Sequence, residues 1–467
     1  MTNKSQDLGS IESVQLNGET FFKIENSDSL RPFFMSIVSA SNHWMFIGSN
    51  GGLTAGRKNA EFSLFPYYSD DKIIESTEIT GPKTIVQLQA NERLVNWEPF
   101  SQFGQEKFSL GRNLYKNQYG NKVVFEEINH DLKLTFRYEW ASSDKYGFIR
   151  TASLSNQGGQ DLEVRLLDGL QNILPYGVGS DLQMKQSNLV DAYKRNELDR
   201  ASGLGIYALS AIIVDRAEPS EALKANVIWQ NGLENPTYLV SSKQVPAFKS
   251  GEPIVEETDV KAEKGAYLVE SRFTLAKDNA QHWVIATDVN KNHPFVANLI
   301  ADISQPNIQS RIQEDVALGT QELIKLTASA DGLQHSADKL KDVRHFANVM
   351  FNIMRGGVFD HNYQIEKWDL LKYLEIANKE VHDVHQDKIA HLTDLLTLAD
   401  LEQLAKTAND PSFTRLLSEY LPLKFSRRHG DPSRPWNKFS INTRNEDDGS
   451  KILDYQGNWR DIFQNWE

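Results

Sequence analysis

Cysteine is absent from this 467-residue chain. Disulfide bonds, Cys-ligated zinc, iron–sulfur clusters and thiol catalysis are therefore excluded. Long apolar runs are missing as well, because no stretch approaches the roughly 20 apolar residues that a membrane-spanning helix requires. Residues 1–10 are polar and show no export signal. The sequence thus predicts a cytoplasmic protein without membrane contact.

Basic charge and phosphate-binding glycine loops are also scarce. The chain has 50 Lys+Arg against 63 Asp+Glu, a formal net charge of −13, which repels nucleic-acid phosphates over most of the surface. Neither GxxxxGK[ST] nor GxGxxG after a strand occurs, and Gly203-Leu204-Gly205 lacks the remaining spacing. We therefore predict no nucleic-acid partner and no cofactor.

Alternating apolar and polar residues dominate from about Phe21 to Pro294. In the clearest stretch, 132–140, the apolar positions are Leu132, Leu134, Phe136, Tyr138 and Trp140, and the polar ones are Lys133, Thr135, Arg137 and Glu139. This alternation predicts a strand with one buried and one solvated face. Further strands are predicted at 148–154, 162–170, 206–214, 225–229, 267–275 and 283–289. So many strands favour a large antiparallel β-supersandwich.

After Pro306 the apolar spacing becomes that of helices. A helix is predicted through Val343 and Met354, stopped at Gly356-Gly357. A second is predicted over 364–391, with an apolar stripe of Trp368, Leu371, Leu374, Val381 and Val384. Shorter helices are predicted over 392–407 and 411–420, the latter capped by Asp410. Strands that precede helices favour a β domain at 1–305 and a helical linker region at 306–423.

Each of two polar groups of residues has both a structural and a functional interpretation. His382 and His385 are three apart on a predicted helix, but the HExxH pattern is absent, so a solvated face is favoured and no metal site is predicted. The loop 424–438 is rich in arginine. It either clamps an anion or, as we favour, pairs with acidic residues of the helices and is fixed to the domain surface.

The terminal segment carries the strongest functional signal. Trp459, Arg460, Asp461, Gln464 and Trp466 place flat apolar rings beside a guanidinium, a carboxylate and an amide. Sugar recognition needs this mixture, because aromatic faces cover the C–H side of a pyranose while polar groups bind its hydroxyls. The alternative is a salt bridge at a helix start with aromatic residues in a core.

Arg460-Asp461-x-x-Gln464-Asn465 resembles the R-D-x-x-Q-D signature of cellobiose phosphorylase and its relatives, glycoside hydrolase family 94. The chain also resembles large bacterial proteins with close versions of SRRHGDPSRPWNKFSI and YQGNWRDIFQNWE. The resemblance implies a galactose mutarotase-like supersandwich, a helical linker, and at 424–467 a loop and the first segment of a truncated (α/α)6 barrel. We therefore expect the chain to be the N-terminal portion of a longer protein.

The resemblance also implies an activity and its residues. Asp461 matches the family carboxylate that binds sugar hydroxyls, Arg460 and Gln464 match its neighbours, and Trp459 adds an aromatic surface; Asn465 departs from the family aspartate. The family's general acid lies further along, so no catalytic residue is assigned here. The implied reaction is inverting cleavage of a disaccharide or oligosaccharide by phosphate, as co-substrate, or by water. A homodimer of the complete protein is implied too.

Two other functions remain open. A non-catalytic carbohydrate-binding or scaffold protein would retain the architecture after losing catalysis, and Asn465 favours it. A free-standing sugar mutarotase would need a histidine and glutamate constellation in the β region. The histidines there are His43, His130, His282 and His293, and none lies in a recognisable motif.

Overall fold

The computed structural model describes residues 11–90, 93–185, 187–213, 221–425, 429–435 and 438–453. The chain divides into two compact units. Unit 1 comprises Met1–Gln321 with Asp431–Lys438, and unit 2 comprises Glu322–Gly430 with Phe439–Glu467. No helix within the described ranges is both long and apolar enough to span a bilayer.

Unit 1 is built mainly from strands. They are β1 (Ile11–Leu16), β2 (Glu19–Ile24), β3 (Phe34–Ile37), β4 (His43–Gly48), β5 (Leu53–Arg57), β6 (Gly81–Ala90), β7 (Arg93–Trp97), β8 (Leu110–Asn117), β9 (Val123–Asn129), β10 (Leu134–Ser143), β11 (Gly147–Asn156), β12 (Leu162–Ile173), β13 (Lys194–Asp199), β14 (Leu204–Leu209), β15 (Lys224–Asn231), β16 (Thr237–Leu239), β17 (Asp259–Lys261), β18 (Gly265–Leu275) and β19 (Ala280–Asn292). Its helices are α1 (Asp70–Glu75), α2 (Ser180–Lys185), α3 (Ser187–Tyr193), α4 (Val245–Lys249), α5 (His293–Ile303) and α6 (Ile308–Ala328), which continues into unit 2.

These strands pair in three antiparallel sheets. The largest has the order β1-β2-β8-β9-β10-β11-β19-β15-β14-β13-β17, the second β16-β18-β12-β6-β7, and the third β3-β4-β5. The main core joins the two larger sheets, with Trp140 and Trp283 from the first and Val86, Leu166 and Leu170 from the second. The prediction of large antiparallel sheets followed by helices is confirmed.

One ion pair is buried inside this core. Arg150 on β11 and Asp168 on β12 have side chains that are both 0% exposed. The guanidinium makes two contacts with the carboxylate, Nη1–Oδ2 at 2.6 Å and Nη2–Oδ1 at 3.0 Å. Trp283 Nε1 and Thr84 Oγ1 also donate to this carboxylate, each at 2.6 Å. Because these four residues come from both larger sheets, the network joins the two layers of the sandwich.

Helices cover the other face of the largest sheet. Apolar residues of α5 and α6, namely Leu299, Ile308, Ile312 and Val316, pack against Ala141, Ile149, Trp229 and Val284 of the strands. The expectation that 132–140 has one buried and one solvated face is wrong at two positions of the second face. Thr135 is buried, and burial raises the pKa of half-buried Glu139 to about 7.

Unit 2 contains mostly helices. After the end of α6 it has α7 (Lys339–Gly356), β20 (Val358–Phe359), β21 (Gln364–Glu366), α8 (Lys367–Ala377), α9 (Lys379–Ala390), β22 (Leu395–Thr397), α10 (Leu398–Ala408), α11 (Pro411–Glu419) and β23 (Leu423–Lys424). The predicted stop of α7 is confirmed, because Gly357 follows it with φ of 83°. The cap of α11 is confirmed too, since the Asp410 carboxylate accepts from the backbone N–H of Ser412 and Phe413.

The single helix predicted over 364–391 is wrong. Residues 364–366 form β21, and the helical part is divided at Asn378, where φ is −160°. The Asn378 side chain accepts from the N–H of Val381 and caps a new helix. Two residues of the predicted apolar stripe are exposed, Trp368 at 44% and Val384 at 63%.

Candidate functional site

The predicted sugar-binding residues Trp459, Arg460, Asp461 and Gln464 lie outside the described residues, which end at Leu453. Their assignment as a sugar site therefore stays a prediction. The described part of unit 2 nevertheless contains a concentration of charged side chains. We call it the polar cluster, and its members are Asp360, His361, Glu366, Asp369, Arg444 and Lys451.

Short elements bring the acidic members of the polar cluster together. Asp360 directly follows β20, Glu366 ends β21, and Asp369 lies in the first turn of α8. The basic members come from a hairpin-like turn in which Arg444 and Lys451 form an isolated antiparallel bridge. The cluster therefore joins two parts of the chain that are distant in sequence.

Arg444 contacts three other members of the polar cluster. Its Nη2 lies 3.2 Å from Glu366 Oε2, 3.5 Å from Asp360 Oδ2 and 3.0 Å from His361 Nε2. Burial by itself raises the pKa of Asp360, but the positive charges of Lys424, Lys451, His361 and Arg444 outweigh it and hold the pKa below its ordinary value. Asp360 is thus ionised at neutral pH.

Lys451 is held in an unusual way. Its side chain is 3% exposed, and its Nζ lies 3.5 Å from both Asp360 Oδ2 and Glu366 Oε2. Within the described part of the chain this buried ammonium has no hydrogen-bond acceptor. Its backbone is fixed, since the Lys451 N–H donates to Asp369 Oδ1 at 2.9 Å. A buried ammonium normally has all its donors satisfied, so Lys451 has unused donor capacity.

Asp369 of the polar cluster accepts two hydrogen bonds within unit 2. Asp369 is buried, and its Oδ2 accepts from the Tyr420 hydroxyl at 2.5 Å. Burial, followed by this carboxylate, raises the pKa of Tyr420 far above its ordinary value, so the phenol remains a donor. Asp369 therefore connects Tyr420 of the unit 2 core to the backbone of Lys451.

The chain beside the polar cluster has a strained backbone. His361, Asn362 and Tyr363 all have positive φ, at 49°, 53° and 64°. Residues with a Cβ rarely adopt this region, and successive ones are rarer still. The Tyr363 ring stacks on Phe359 with centroids 5.0 Å apart, and Tyr363 remains 41% exposed. An exposed aromatic ring thus lies two residues along the chain from His361 of the polar cluster.

Unit 1 contains a small cavity of about 30 Å³. Its lining includes Glu78, Lys83, Phe100, Ser101 and Tyr138. A single water needs roughly 10–15 Å³ of such space, so the cavity holds about two waters. A pyranose ring needs more space than this.

Of the four histidines considered for a mutarotase, only His43 is buried, while His130, His282 and His293 are exposed. The Nδ1 of His43 lies 2.6 Å from Ser41 Oγ, and no described glutamate forms a hydrogen bond with the imidazole. The histidine and glutamate constellation that a mutarotase would need is thus not formed around His43.

Titration of His43 leads to a stability prediction. Burial, reinforced by the charges of Arg57 and Lys291, holds the pKa of His43 well below the ordinary 6.5. Below pH 6.5 the unfolded chain therefore binds a proton that the folded chain does not, and stability falls as pH falls, by at most about 1.4 kcal/mol per pH unit. We expect urea unfolding at pH 7.5 and 5.5 to show a smaller pH dependence for His43→Gln than for wild type. His282→Gln, at an exposed position, is the control, and equal dependence in all three proteins would contradict the prediction.

The paired histidines of α9 have separate partners. His385 Nε2 lies 2.9 Å from Asp410 Oδ2, and its ring stacks on Phe413. His382 Nδ1 lies 3.1 Å from Asp383 Oδ1. In the described ranges no group of three or more His, Asp or Glu side chains is arranged to hold a metal ion.

The arginine-rich loop is described only in part, since 426–428 and 436–437 lie outside the described residues. Arg434 pairs with Asp431 of the same loop, Nη2–Oδ2 at 2.8 Å. The expected pairing with acids of the helices is therefore wrong for Arg434. The Asp70 N–H donates to the Pro432 carbonyl at 3.1 Å, which attaches this part of the loop to unit 1.

Comparison with known families gives one match. Residues 359–422 match the model of glycoside hydrolase family 149 insertion domain 1. This segment of the chain is similar to part of a glycoside hydrolase family. It contains Asp360, Glu366 and Asp369 of the polar cluster. No curated protein sequence matches the chain.

Solved structures provide weaker similarity. A bacterial glucoamylase complexed with acarbose is 10% identical with a TM-score of 0.39, over 89% of this chain and 54% of the glucoamylase. A protein assigned as a kojibiose phosphorylase, from the human microbiome, is 9% identical with a TM-score of 0.32, over 73% of this chain and 36% of that one. A protein assigned as an aldose 1-epimerase, from Escherichia coli K12, is 10% identical with a TM-score of 0.26, over 56% of this chain and 99% of that one. The chain thus spans about half the length of the glucoamylase.

Sequence reasoning did not find the polar cluster. Its acidic members lie within 360–369 and its basic members within 444–451. The second stretch, Arg444 to Lys451, reads as a solvated turn because it is rich in Asn, Asp and Gly. The one available signal was the density of charge in both stretches, which does not reveal that they meet.

Proposed function

We propose that this chain is the N-terminal part of a carbohydrate-active enzyme, a glycoside phosphorylase or hydrolase that cleaves oligosaccharides with inversion. The observation that carries this proposal is the match of residues 359–422 to the glycoside hydrolase family 149 insertion domain. The terminal Arg460-Asp461-x-x-Gln464 motif supports it independently, because it resembles a family 94 signature.

In this proposal the terminal segment binds the sugar. The Asp461 carboxylate accepts from ring hydroxyls, Arg460 and Gln464 contribute further hydrogen bonds, and Trp459 covers an apolar sugar face. A carboxylic acid encoded beyond Glu467 protonates the glycosidic oxygen, while phosphate, or water that gives its proton to a second carboxylate, attacks the anomeric carbon from the opposite face. We propose the domain division 1–305, 306–423 and 424–467, the last being the start of an (α/α)6 barrel, and a homodimer of the complete protein.

The direct test is turnover by the full-length protein. Each of a set of β-linked and α-linked disaccharides is incubated with and without inorganic phosphate, and the products are followed by NMR. A phosphorylase releases a sugar 1-phosphate only when phosphate is present, and a hydrolase releases two free sugars in either condition. Inversion is seen as a product anomer opposite to that of the substrate bond. Absence of turnover on every saccharide would contradict the proposal.

A second candidate is a non-catalytic saccharide-binding protein with the same architecture. The observation that favours it is Asn465, which replaces the family aspartate by an uncharged amide. Saturable saccharide binding by the full-length protein, without turnover in either condition, would favour this candidate over the enzyme.

A further inference from the structure

We propose that the polar cluster of unit 2 is a second saccharide-binding site, separate from the terminal motif. The class of ligand rests on the proposed function, whereas the location rests on the described side chains. The site comprises Lys451 and Arg444 as donors, Asp360 and Glu366 as acceptors, and Tyr363 as the aromatic surface.

Lys451 is the first reason for the assignment. Its ammonium is buried, yet both neighbouring carboxylate oxygens are 3.5 Å from Nζ and no described residue accepts a hydrogen bond from it. Coulombic attraction keeps the side chain in place, while none of its three N–H donors has an acceptor among the described residues. An oxygen of a ligand at this position would gain a charge-assisted hydrogen bond.

The charge balance indicates the chemical class. Asp360, Glu366 and Asp369 lie with Arg444 and Lys451, and Lys424 is a further cation acting on Asp360, so three carboxylates are matched by three Arg and Lys charges. An anionic ligand would compete with the carboxylates, and a cationic one with the guanidinium and ammonium. A hydroxyl group both donates and accepts, so neighbouring hydroxyls of a neutral sugar can pair with both kinds of group at once.

The aromatic surface is the second reason. Tyr363 stacks on buried Phe359 and is itself 41% exposed, so its ring is supported on one side. A partly exposed ring that stacks on a buried one, close along the chain to polar residues, suits the apolar C–H face of a pyranose. The positive φ values from His361 to Tyr363 set this ring in place. Strained backbone of this kind persists where surrounding structure enforces it, and it concentrates at ligand sites.

The test measures saccharide binding by the 467-residue chain. Isothermal titration with β-1,4-, β-1,3- and α-1,4-linked glucohexaose identifies a hexaose that wild type binds. We expect Lys451→Met to weaken that binding at least tenfold, because the side-chain length is kept while the donors are lost. Lys406→Met is the matched control in the same unit, at a lysine 72% exposed on α10, and it should bind like wild type.

Two more variants separate this site from the terminal motif and from folding defects. Tyr363→Asn removes the ring while keeping a residue type that tolerates positive φ, and we expect a tenfold loss with an unchanged melting temperature. Asp461→Asn should retain hexaose binding at the polar cluster. The inference is overturned if no hexaose binds wild type, if Lys451→Met and Tyr363→Asn both bind normally, or if Asp461→Asn abolishes binding. None of these outcomes decides the proposed enzyme, which is tested by turnover of the full-length protein.

Discussion

Replacing Arg150 by methionine is expected to lower the free energy of unfolding of unit 1 by about 3–5 kcal/mol. The substitution leaves the Asp168 carboxylate in a site that is 0% exposed, without its counter-charge. Trp283 and Thr84 still donate to Asp168, but two neutral donors do not replace a bidentate guanidinium in a dry interior. Equilibrium unfolding in urea, followed by tryptophan fluorescence, measures the loss.

Two comparisons make this prediction specific. Lys185→Met removes an ion pair in which Lys185 and Asp181 are 69% and 70% exposed, and it should cost almost nothing. Arg150→Met combined with Asp168→Leu removes both buried charges, and we expect it to recover most of the stability lost in the single variant. A single variant as stable as Lys185→Met would show that the buried pair contributes little.

Substituting asparagine for Asp461 in the full-length protein is expected to lower kcat/KM by about 100-fold. Hydrogen bonds to a charged group contribute about 1.5–3 kcal/mol each, and a 100-fold loss corresponds to about 2.7 kcal/mol. The amide keeps the shape of the side chain, so the effect reports the lost charge. Initial rates on the saccharide identified in the turnover experiment measure it.

The matched control for this variant is Asp447→Asn. Asp447 is an exposed residue of unit 2 and undergoes the same chemical change, so its kcat/KM should equal that of wild type. A fall in kcat at unchanged KM would show that Asp461 acts on the transition state, whereas a rise in KM alone would indicate ground-state binding. Full activity of Asp461→Asn would refute the assigned role.

The strand-rich part of the fold was predictable because its signal is local. In β10, Leu134, Phe136 and Trp140 are each 0% exposed, as the period-two pattern requires. What the pattern could not show is the covering of the opposite face by α5 and α6. That packing depends on residues distant in sequence, such as Leu299 and Ala141, which belong to the same core cluster.

The helical part was less predictable because one polar residue, Asn378, divides a predicted helix into two. The apolar spacing over 364–391 is compatible with a single helix. The Asn378 side chain, however, accepts from the Val381 N–H and caps α9, which begins at Lys379. Local side-chain to backbone hydrogen bonds of this kind compete with helix continuation. A sequence pattern that counts only apolar positions does not include them.

The roles given to the terminal motif come from a resemblance, and they stay a prediction because residues 454–467 lie outside the described part of the chain. The polar cluster was not predictable, because Asp360 and Lys451 are ordinary surface residue types in their local contexts. Their significance arises from burial and from a 3.5 Å approach that only the folded chain creates. Long-range pairing of charges leaves no periodic trace in a sequence.

The return of Asp431–Lys438 to unit 1 has a consequence for biosynthesis. Chains emerge from the ribosome N-terminus first, and domains generally fold as units while emerging. The hydrogen bond from the Asp70 N–H to the Pro432 carbonyl forms only after residues 322–430 have been translated. Unit 1 therefore starts folding first and forms this contact late. A nascent chain halted before Asp431 would still lack one segment of unit 1.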